Sequence, residues 1–214
     1  MEISNHLIAK PVASNIVHLD SKSSNSRKIL TSHINESLAL IKTGKYEDAI
    51  NNLENQTIAK EAGFNLICRK VRLLNKLATK EEVYWYLGMT ADCSSFSRRE
   101  KKITINKLVS LDDLLVDINL KEVIKLEESL LFAEEWTHAL QDIANGEPIS
   151  SHGKEIYSFN EKAHEKDKID PVEIEVADYF LEQGLSWDFL KETNWITRYD
   201  RKQIVSNVLG ISME

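Results

Sequence analysis

The sequence predicts an α+β protein that is mostly helical. Glycine and proline are scarce, with 7 and 3 among 214 residues, and 42% of the residues are hydrophobic, which is typical of a folded, helix-rich chain. Apolar residues recur at intervals of three and four over much of the sequence, the spacing of helices that bury one face. Residues 102–106 alternate apolar and polar side chains instead, and this pattern predicts a strand.

The chain is expected to begin with a tail and a helical region. Residues 1–27 contain Pro11 and a polar run rich in serine, so we predict an irregular segment there. A helix should follow from about residue 28 to Gly44, where glycine favours a helix end, and a second helix over residues 45–53 completes a hairpin. The core-facing stripe of the first helix consists of Leu30, Ile34, Leu38 and Ile41.

Further elements are expected on both sides of the predicted strand. Residues 64–77 carry five aliphatic side chains at helical spacing and predict a helix. Residues 82–88 are aromatic and partly β-branched, which fits a strand or a short helix. Ser110 is a candidate N-cap for a following helix, because Asp113 stands three residues on. A long helix should then run from about residue 122 to residue 141.

The C-terminal part should end in helices. Residues 153–168 are polar and predict a surface loop with one short helix. Asp170 as N-cap and Pro171 at the first helical position predict a helix that ends at Gly184. Residues 187–211 should form one or two amphipathic helices that cover the core.

The most informative stretch is residues 130–141, where large apolar residues surround Glu134, Glu135 and His138. We expect a buried helix here. Residues four apart lie on the same helix face, so Glu134 and His138 should project together, one turn apart. Metallopeptidase helices hold zinc by ligands at such positions, and the carboxylate after the first ligand activates a water molecule.

Residues 135–141, Glu-Trp-Thr-His-Ala-Leu-Gln, resemble the second half of the active helix of minigluzincins, which are small gluzincin-type zinc peptidases. That family's helix begins His-Glu-x-x-His. Here the first position holds Glu134, so the motif is Glu-Glu-x-x-His. The resemblance implies a zincin-like core in which a small sheet precedes the active helix. It also implies that the last strand, residues 102–106, borders a cleft where an extended substrate pairs.

The resemblance further implies a set of site residues. His138 would be a metal ligand, Glu135 the general base, and Glu134 would occupy the place of the missing histidine. Gluzincins take their third ligand from a glutamate on a downstream helix. Glu173 is our preferred candidate for it, and Glu175 is the second.

The exchange of histidine for Glu134 bears on the chemistry of any bound metal. A carboxylate can bind zinc, but its negative charge weakens the metal as a Lewis acid and makes metal-bound water less acidic. Zinc is therefore one expected metal, and the same ligand set would also suit iron or manganese. The alternative is a buried Glu–His pair that is satisfied by hydrogen bonds alone.

Composition limits the partner and the compartment. The formal net charge of -7 argues against nucleic acid as the main partner, because binding to phosphates requires a basic surface. Cys68 and Cys93 do not form a disulfide framework. No stretch reaches the roughly 18 apolar residues of a membrane span, and no secretion signal is evident. We therefore expect a cytoplasmic protein without membrane or nucleic-acid partners.

These observations predict a tail over residues 1–27, a helical region over residues 28–82 and a degenerate minigluzincin-like domain over residues 83–214. The predicted function is a zincin-like pseudo-peptidase that acts through an unknown protein or peptide partner. Two alternatives are a metal-dependent peptidase that uses Glu135 as its general base and a purely helical interaction module.

Overall fold

Helices form most of the structure, with one small sheet near the middle of the chain. The computed structural model describes residues 14–71, 79–108, 118–162, 170–197 and 201–211. In chain order, the elements of these described residues are α1 (Ser14–Lys42), α2 (Tyr46–Leu53), α3 (Gln56–Ala62), β1 (Asn65–Val71), α4 (Lys80–Cys93), β2 (Ser95–Ser97), β3 (Lys102–Leu108), α5 (Ile118–Ala144), α6 (Gly153–Lys162), α7 (Pro171–Glu182), α8 (Trp187–Leu190), α9 (Asn194–Thr197) and α10 (Arg201–Leu209).

Helix α5 is the element around which the others pack. Its residues 127–137 are buried without interruption, so the buried helix predicted over residues 130–141 is confirmed. The helix begins at Ile118 and ends at Ala144, a little outside the predicted range. Helices α1, α2, α4 and α7 and strand β3 all contact it. Side chains from this helix therefore point toward several elements at once, which allows a site to be assembled around it.

The N-terminal helices cover one side of α5. The predicted stripe of α1, from Leu30 to Ile41, is buried, and α1 ends before Gly44, which adopts a positive φ of 75°. The hairpin of α1 and α2 is thus confirmed. Trp136 of α5 donates an indole hydrogen bond to the carbonyl oxygen of Leu53 at 2.9 Å. The imidazole of His33 lies against the same indole, with ring centroids 4.5 Å apart.

The sheet has the strand order β1-β3-β2. Strand β3 confirms the strand predicted over residues 102–106. It pairs in parallel with β1 and antiparallel with β2, so β3 is the central strand. The expectation that an extended substrate pairs with this strand is therefore wrong over Lys102–Thr104, where β1 and β2 occupy both edges. The edge strand of the sheet on that side is β2, which has only three residues.

The helix predicted over residues 64–77 is wrong for its described part. Residues 65–71 form β1 in register with β3, with Leu66 opposite Ile103 and Cys68 opposite Ile105. A short apolar run fits the repeat of a helix as well as the repeat of a strand. Pairing with the β-branched residues of β3 decides in favour of the strand. Residues 72–77 lie outside the described residues. The segment 82–88, left open between strand and helix, belongs to α4, which Thr79 and Glu82 begin with a capping box.

One segment predicted to be irregular is helical, and a second contains the short helix predicted within it. Within the tail predicted over residues 1–27, the chain is helical from Ser14 onward, and Ser23, Ser24 and Asn25 of the polar run are exposed on this helix. Residues 1–13 lie outside the described residues, as does the helix start predicted at Ser110. The loop predicted over residues 153–168 contains α6 at its beginning, and residues 163–168 are again outside the description.

Helix α7 confirms its predicted ends. Asp170 accepts a hydrogen bond from the Val172 amide at 3.0 Å, Pro171 occupies the first helical position, and Gly184 follows the helix with a φ of 94°. The described C-terminal residues contain three helices, α8, α9 and α10, where the amphipathic pattern predicts one or two.

One apolar cluster joins both halves of the chain. It contains Leu30 of α1 and Leu66 of β1 as well as Phe132 of α5 and Val205 of α10, so residues on both sides of position 83 share a core. Within the described parts of the chain, no helix combines the length and apolarity that a bilayer crossing requires.

The buried His33 predicts a pH-dependent stability. Burial lowers the pKa of His33 from 6.5 to about 4, so the folded protein holds this imidazole neutral at pH values where the unfolded chain protonates it. The free energy of unfolding should be highest above pH 6.5 and should fall by about 3 kcal/mol from this group as the pH drops to 4. Urea unfolding at several pH values, followed by circular dichroism, measures this effect.

The control is a His33→Phe variant, which keeps an aromatic ring against Trp136 but cannot titrate. Its stability should depend less steeply on pH between 6.5 and 4. Equal slopes for variant and wild type would show that His33 does not carry the dependence.

Candidate metal centre

Helices α5 and α7 bring three of the predicted ligands together. His138 Nε2 lies 3.9 Å from Glu134 Oε1 on the same helix and 3.4 Å from Glu173 Oε1 in the first turn of α7. One ligand atom from each residue falls within 4.8 Å of the others, so the group could hold a metal ion. We call Glu134, His138 and Glu173 the central cluster.

The orientation of His138 is set by Gln141, one turn further along α5. The Gln141 amide nitrogen donates to the Val172 carbonyl and to Glu175 Oε2, both at 2.9 Å, so its oxygen must act as the acceptor toward His138 Nδ1 at 2.8 Å. His138 Nδ1 therefore carries a hydrogen, and Nε2 faces the two carboxylates. Metal-binding histidines are commonly oriented in this way by a partner on the second nitrogen.

A cation of the chain itself already contacts the central cluster. The Arg201 guanidinium, at the start of α10, is 1% exposed. Its Nη2 donates to Glu134 Oε1 and to Glu173 Oε2. It lies 4.7 Å from the ring centroid of Trp195, whose indole donates to Glu134 Oε2 at 2.7 Å. The guanidinium thus bridges the same two carboxylates that a metal ion would join.

The electrostatics of the central cluster follow from this bridge. Burial alone would raise the pKa of Glu134, but the charge of Arg201 and the contacts of His138 hold that pKa well below its usual range. Burial alone would lower the pKa of His138, but Glu134 and Glu173 raise it well above 6.5. At neutral pH these shifts favour an ionised Glu134 and a protonated His138 beside the Arg201 guanidinium.

Glu135, the predicted general base, is buried close to the charges of His138, Glu134, Glu173 and Arg201. It is 5% exposed, and its Oε2 has no hydrogen-bond partner among the described residues. Burial raises the pKa of Glu135 to about 8, with smaller effects from His138 and Glu134. The carboxyl group is therefore mainly protonated at neutral pH, and a protonated carboxyl cannot accept the proton of a water molecule.

Glu175, the second candidate for the third ligand, lies outside the central cluster. Its carboxylate is buried and accepts hydrogen bonds from Gln141, from the Tyr157 hydroxyl at 3.1 Å and from the Ile149 amide at 2.7 Å. Burial and the nearby Glu175 raise the pKa of Tyr157 above its usual value of 10. Glu175 thus fixes the turn between α5 and α6 onto α7 and indirectly orients His138 through Gln141.

A second group lies further along α7. The imidazole of His152 contacts Asp178, with Nδ1 3.0 Å from Oδ1, and Glu182 stands one helical turn beyond Asp178. Ligand atoms of these three residues also lie within 4.8 Å of one another. We call His152, Asp178 and Glu182 the surface cluster, because His152 and Glu182 are exposed. His152 therefore does not supply a ligand to the central cluster.

Sequence reasoning missed Arg201, Trp195 and Gln141 as parts of the site. The sequence does contain one signal for Arg201. It shares a helix face with Ile204, Val205 and Val208, three, four and seven positions on, and Ile204 and Val205 are buried. A charged residue on an apolar stripe indicates a buried ion pair. Trp195 and Gln141 offered no comparable signal.

Comparison of the chain with models of known protein families, with curated proteins and with solved structures finds no match. The arguments for function therefore rest on the residues and their geometry.

The packing of the α5–α6 turn predicts the effect of a single methyl group. A Cβ atom at Gly153 would lie 2.5 Å from Pro148 Cβ and 2.6 Å from Glu175 Oε1, closer than real contacts allow. Gly153→Ala should therefore lower the free energy of unfolding by about 1–3 kcal/mol. Chemical denaturation measures the change.

Gly88→Ala is the matched control. Gly88 lies inside α4, and a Cβ there would meet nothing within 4 Å, so alanine should raise stability by up to about 1 kcal/mol through helix propensity. Equal effects of the two substitutions would contradict the proposed tight contact at Glu175.

Proposed function

We propose that the chain is a zincin-like pseudo-peptidase scaffold that lacks hydrolytic activity and acts through protein interaction. The proposal is carried by one observation, the Arg201 guanidinium that bridges Glu134 and Glu173 within the predicted ligand set. A zinc site needs a neutral imidazole and carboxylates whose negative charge is not already paired with a cation of the protein. In this chain the carboxylates have a cationic partner, and His138 favours its protonated form.

The guanidinium opposes metal binding in two ways. A divalent ion between Glu134 and Glu173 would lie close to the positive charge of Arg201, and the two would repel each other. If the ion instead displaced Arg201, this buried side chain would lose its ion pairs with Glu134 and Glu173. Breaking a buried ion pair typically costs about 3–5 kcal/mol.

The peptidase alternative has less support. Hydrolysis would require Glu135 to be ionised, whereas burial raises its pKa to about 8. The strand expected to pair with substrate, β3, is flanked by β1 and β2. The short distances between the three ligand atoms of the central cluster favour metal binding. A purely helical interaction module is opposed by the three-stranded sheet itself.

Protein interaction as the mode of action is supported by exposed apolar side chains. Trp85 and Met89, one turn apart on α4, are 60% and 42% exposed. Large apolar side chains exposed together are often found where proteins interact. The partner is proposed only as a protein or peptide.

The proposed function predicts that removal of Arg201 opens the central cluster to metal. The parent protein for this test carries His152→Ala, which disables the surface cluster. This parent should show no His138-dependent binding of Co²⁺. Adding Arg201→Met should raise the affinity for Co²⁺ at least tenfold, because the competing positive charge is gone. Optical absorption of Co²⁺ and metal analysis after dialysis measure binding.

Two further variants make the result decisive. Arg201→Lys retains the charge and should bind no more Co²⁺ than the parent, whereas adding His138→Ala to Arg201→Met should abolish the gain. Because Arg201→Met could unfold, the parent is also compared with its His138→Ala form. Co²⁺ binding that the parent shows and this form lacks would overturn the proposal.

A further inference from the structure

We propose that the surface cluster is a site for a first-row divalent cation, with Zn²⁺ as the best fit. The ligands would be His152 Nδ1 and one carboxylate oxygen each from Asp178 and Glu182. This inference concerns residues that the proposed function does not use, and it can stand or fail separately from it.

The geometry needs little change to admit an ion. Two ligands at zinc distances of about 2.0–2.1 Å in a tetrahedral site lie about 3.3 Å apart. His152 Nδ1 and Asp178 Oδ1 are 3.0 Å apart, so an ion could replace their hydrogen bond after a shift of a few tenths of an ångström. Asp178 and Glu182 are one turn apart on α7 and share a face, and the three ligand atoms lie within 4.8 Å of one another.

Backbone hydrogen bonds hold these groups in place before any ion binds. The His152 amide donates to Asp178 Oδ2 at 3.2 Å, and the Ser151 amide donates to Glu182 Oε1 at 2.6 Å. The Ser151 hydroxyl also donates to Glu182. These contacts hold the turn before α6 against α7. Little conformational entropy is therefore lost when an ion binds, and pre-organised ligands bind ions more tightly.

The charge around the surface cluster favours an added cation. The side chain of Asp178 is 2% exposed, and His152 is its ion-pair partner. Among the described residues, no lysine or arginine forms an ion pair with Asp178 or Glu182, in contrast to the Arg201 bridge of the central cluster. The side chain of His152 is 56% exposed, which leaves a path for the ion.

The donor set indicates the class of metal. Zinc accepts imidazole nitrogen and carboxylate oxygen ligands and keeps water in the fourth position of an open site, and Mn²⁺ or Fe²⁺ accept the same donors with lower affinity or specificity. A set with an imidazole and few oxygens is poorly suited to Ca²⁺, which takes six to eight oxygen ligands. Bound zinc would cross-link the turn before α6 to α7 and stabilise both.

Titration of the tag-free full chain with ZnCl₂ tests the proposal. The wild type should bind one Zn²⁺ per chain by calorimetry and by metal analysis after dialysis. Its Tm should rise by about 3 °C or more at saturating zinc. His152→Ala should weaken binding at least tenfold and remove the Tm shift, and Glu182→Gln should weaken it as well.

His138→Ala separates the two clusters, because zinc that this variant loses belongs to the central cluster and counts against the proposed function, not against the surface cluster. His164→Ala is the matched control, since it removes a histidine that belongs to neither cluster, and it should leave zinc binding unchanged. Failure of the wild type to bind Zn²⁺ at about 100 µM, an affinity weaker than functional zinc sites show, would overturn the proposal. So would unchanged binding in His152→Ala.

Discussion

The buried bridge from Arg201 to Glu134 and Glu173 is the interaction on which the arrangement of the site depends. It joins α5, α7 and α10 through one guanidinium group, and Trp195 adds both a hydrogen bond to Glu134 and a ring beneath the cation. Buried ions are tolerated only when they are paired and hydrogen-bonded. The relative positions of these three helices are therefore tied to the pairing of their charges.

The bridge also gives a physical reason for the glutamate at position 134. A histidine there would place a neutral or positive ring beside a buried guanidinium, with no compensating charge on α5. A carboxylate provides that charge and accepts from both Arg201 and Trp195. Glu134 and Arg201 thus form a matched pair of buried charges that joins α5 to α10.

The sequence predicts those features that depend on local patterns. The buried part of α5, the strand β3 and the capped start of α7 follow from periodicity and from the Asp170-Pro171 pair. The sequence does not predict β1, because the apolar run from residue 64 fits a helix and a strand equally well. Only pairing with β3 decides between them. Nor does a polar run in α1 reveal that a long helix continues through it.

The residues of the candidate site also separate into those that the sequence predicts and those that it does not. Helix spacing predicts that Glu134 and His138 share a face, whereas the choice of Glu173 comes only from the family resemblance. The role of Arg201 could not be predicted, since its partners are 67 and 28 residues away in sequence. Its position on an apolar stripe indicates burial but does not identify the carboxylates that it meets.

Helix α7 shows how the partner of each acid decides what that acid can do. Four acidic residues follow one another along this helix, and each meets different groups: Glu173, Glu175, Asp178 and Glu182. The first contacts a fixed guanidinium, and the second is satisfied by amide and hydroxyl donors, so neither has a reason to bind an ion from solution. The last two face an imidazole and neutral donors. An imidazole can exchange its proton for a metal, whereas a guanidinium cannot, and a divalent cation is therefore expected at the end of α7 where the chain has not supplied a permanent charge.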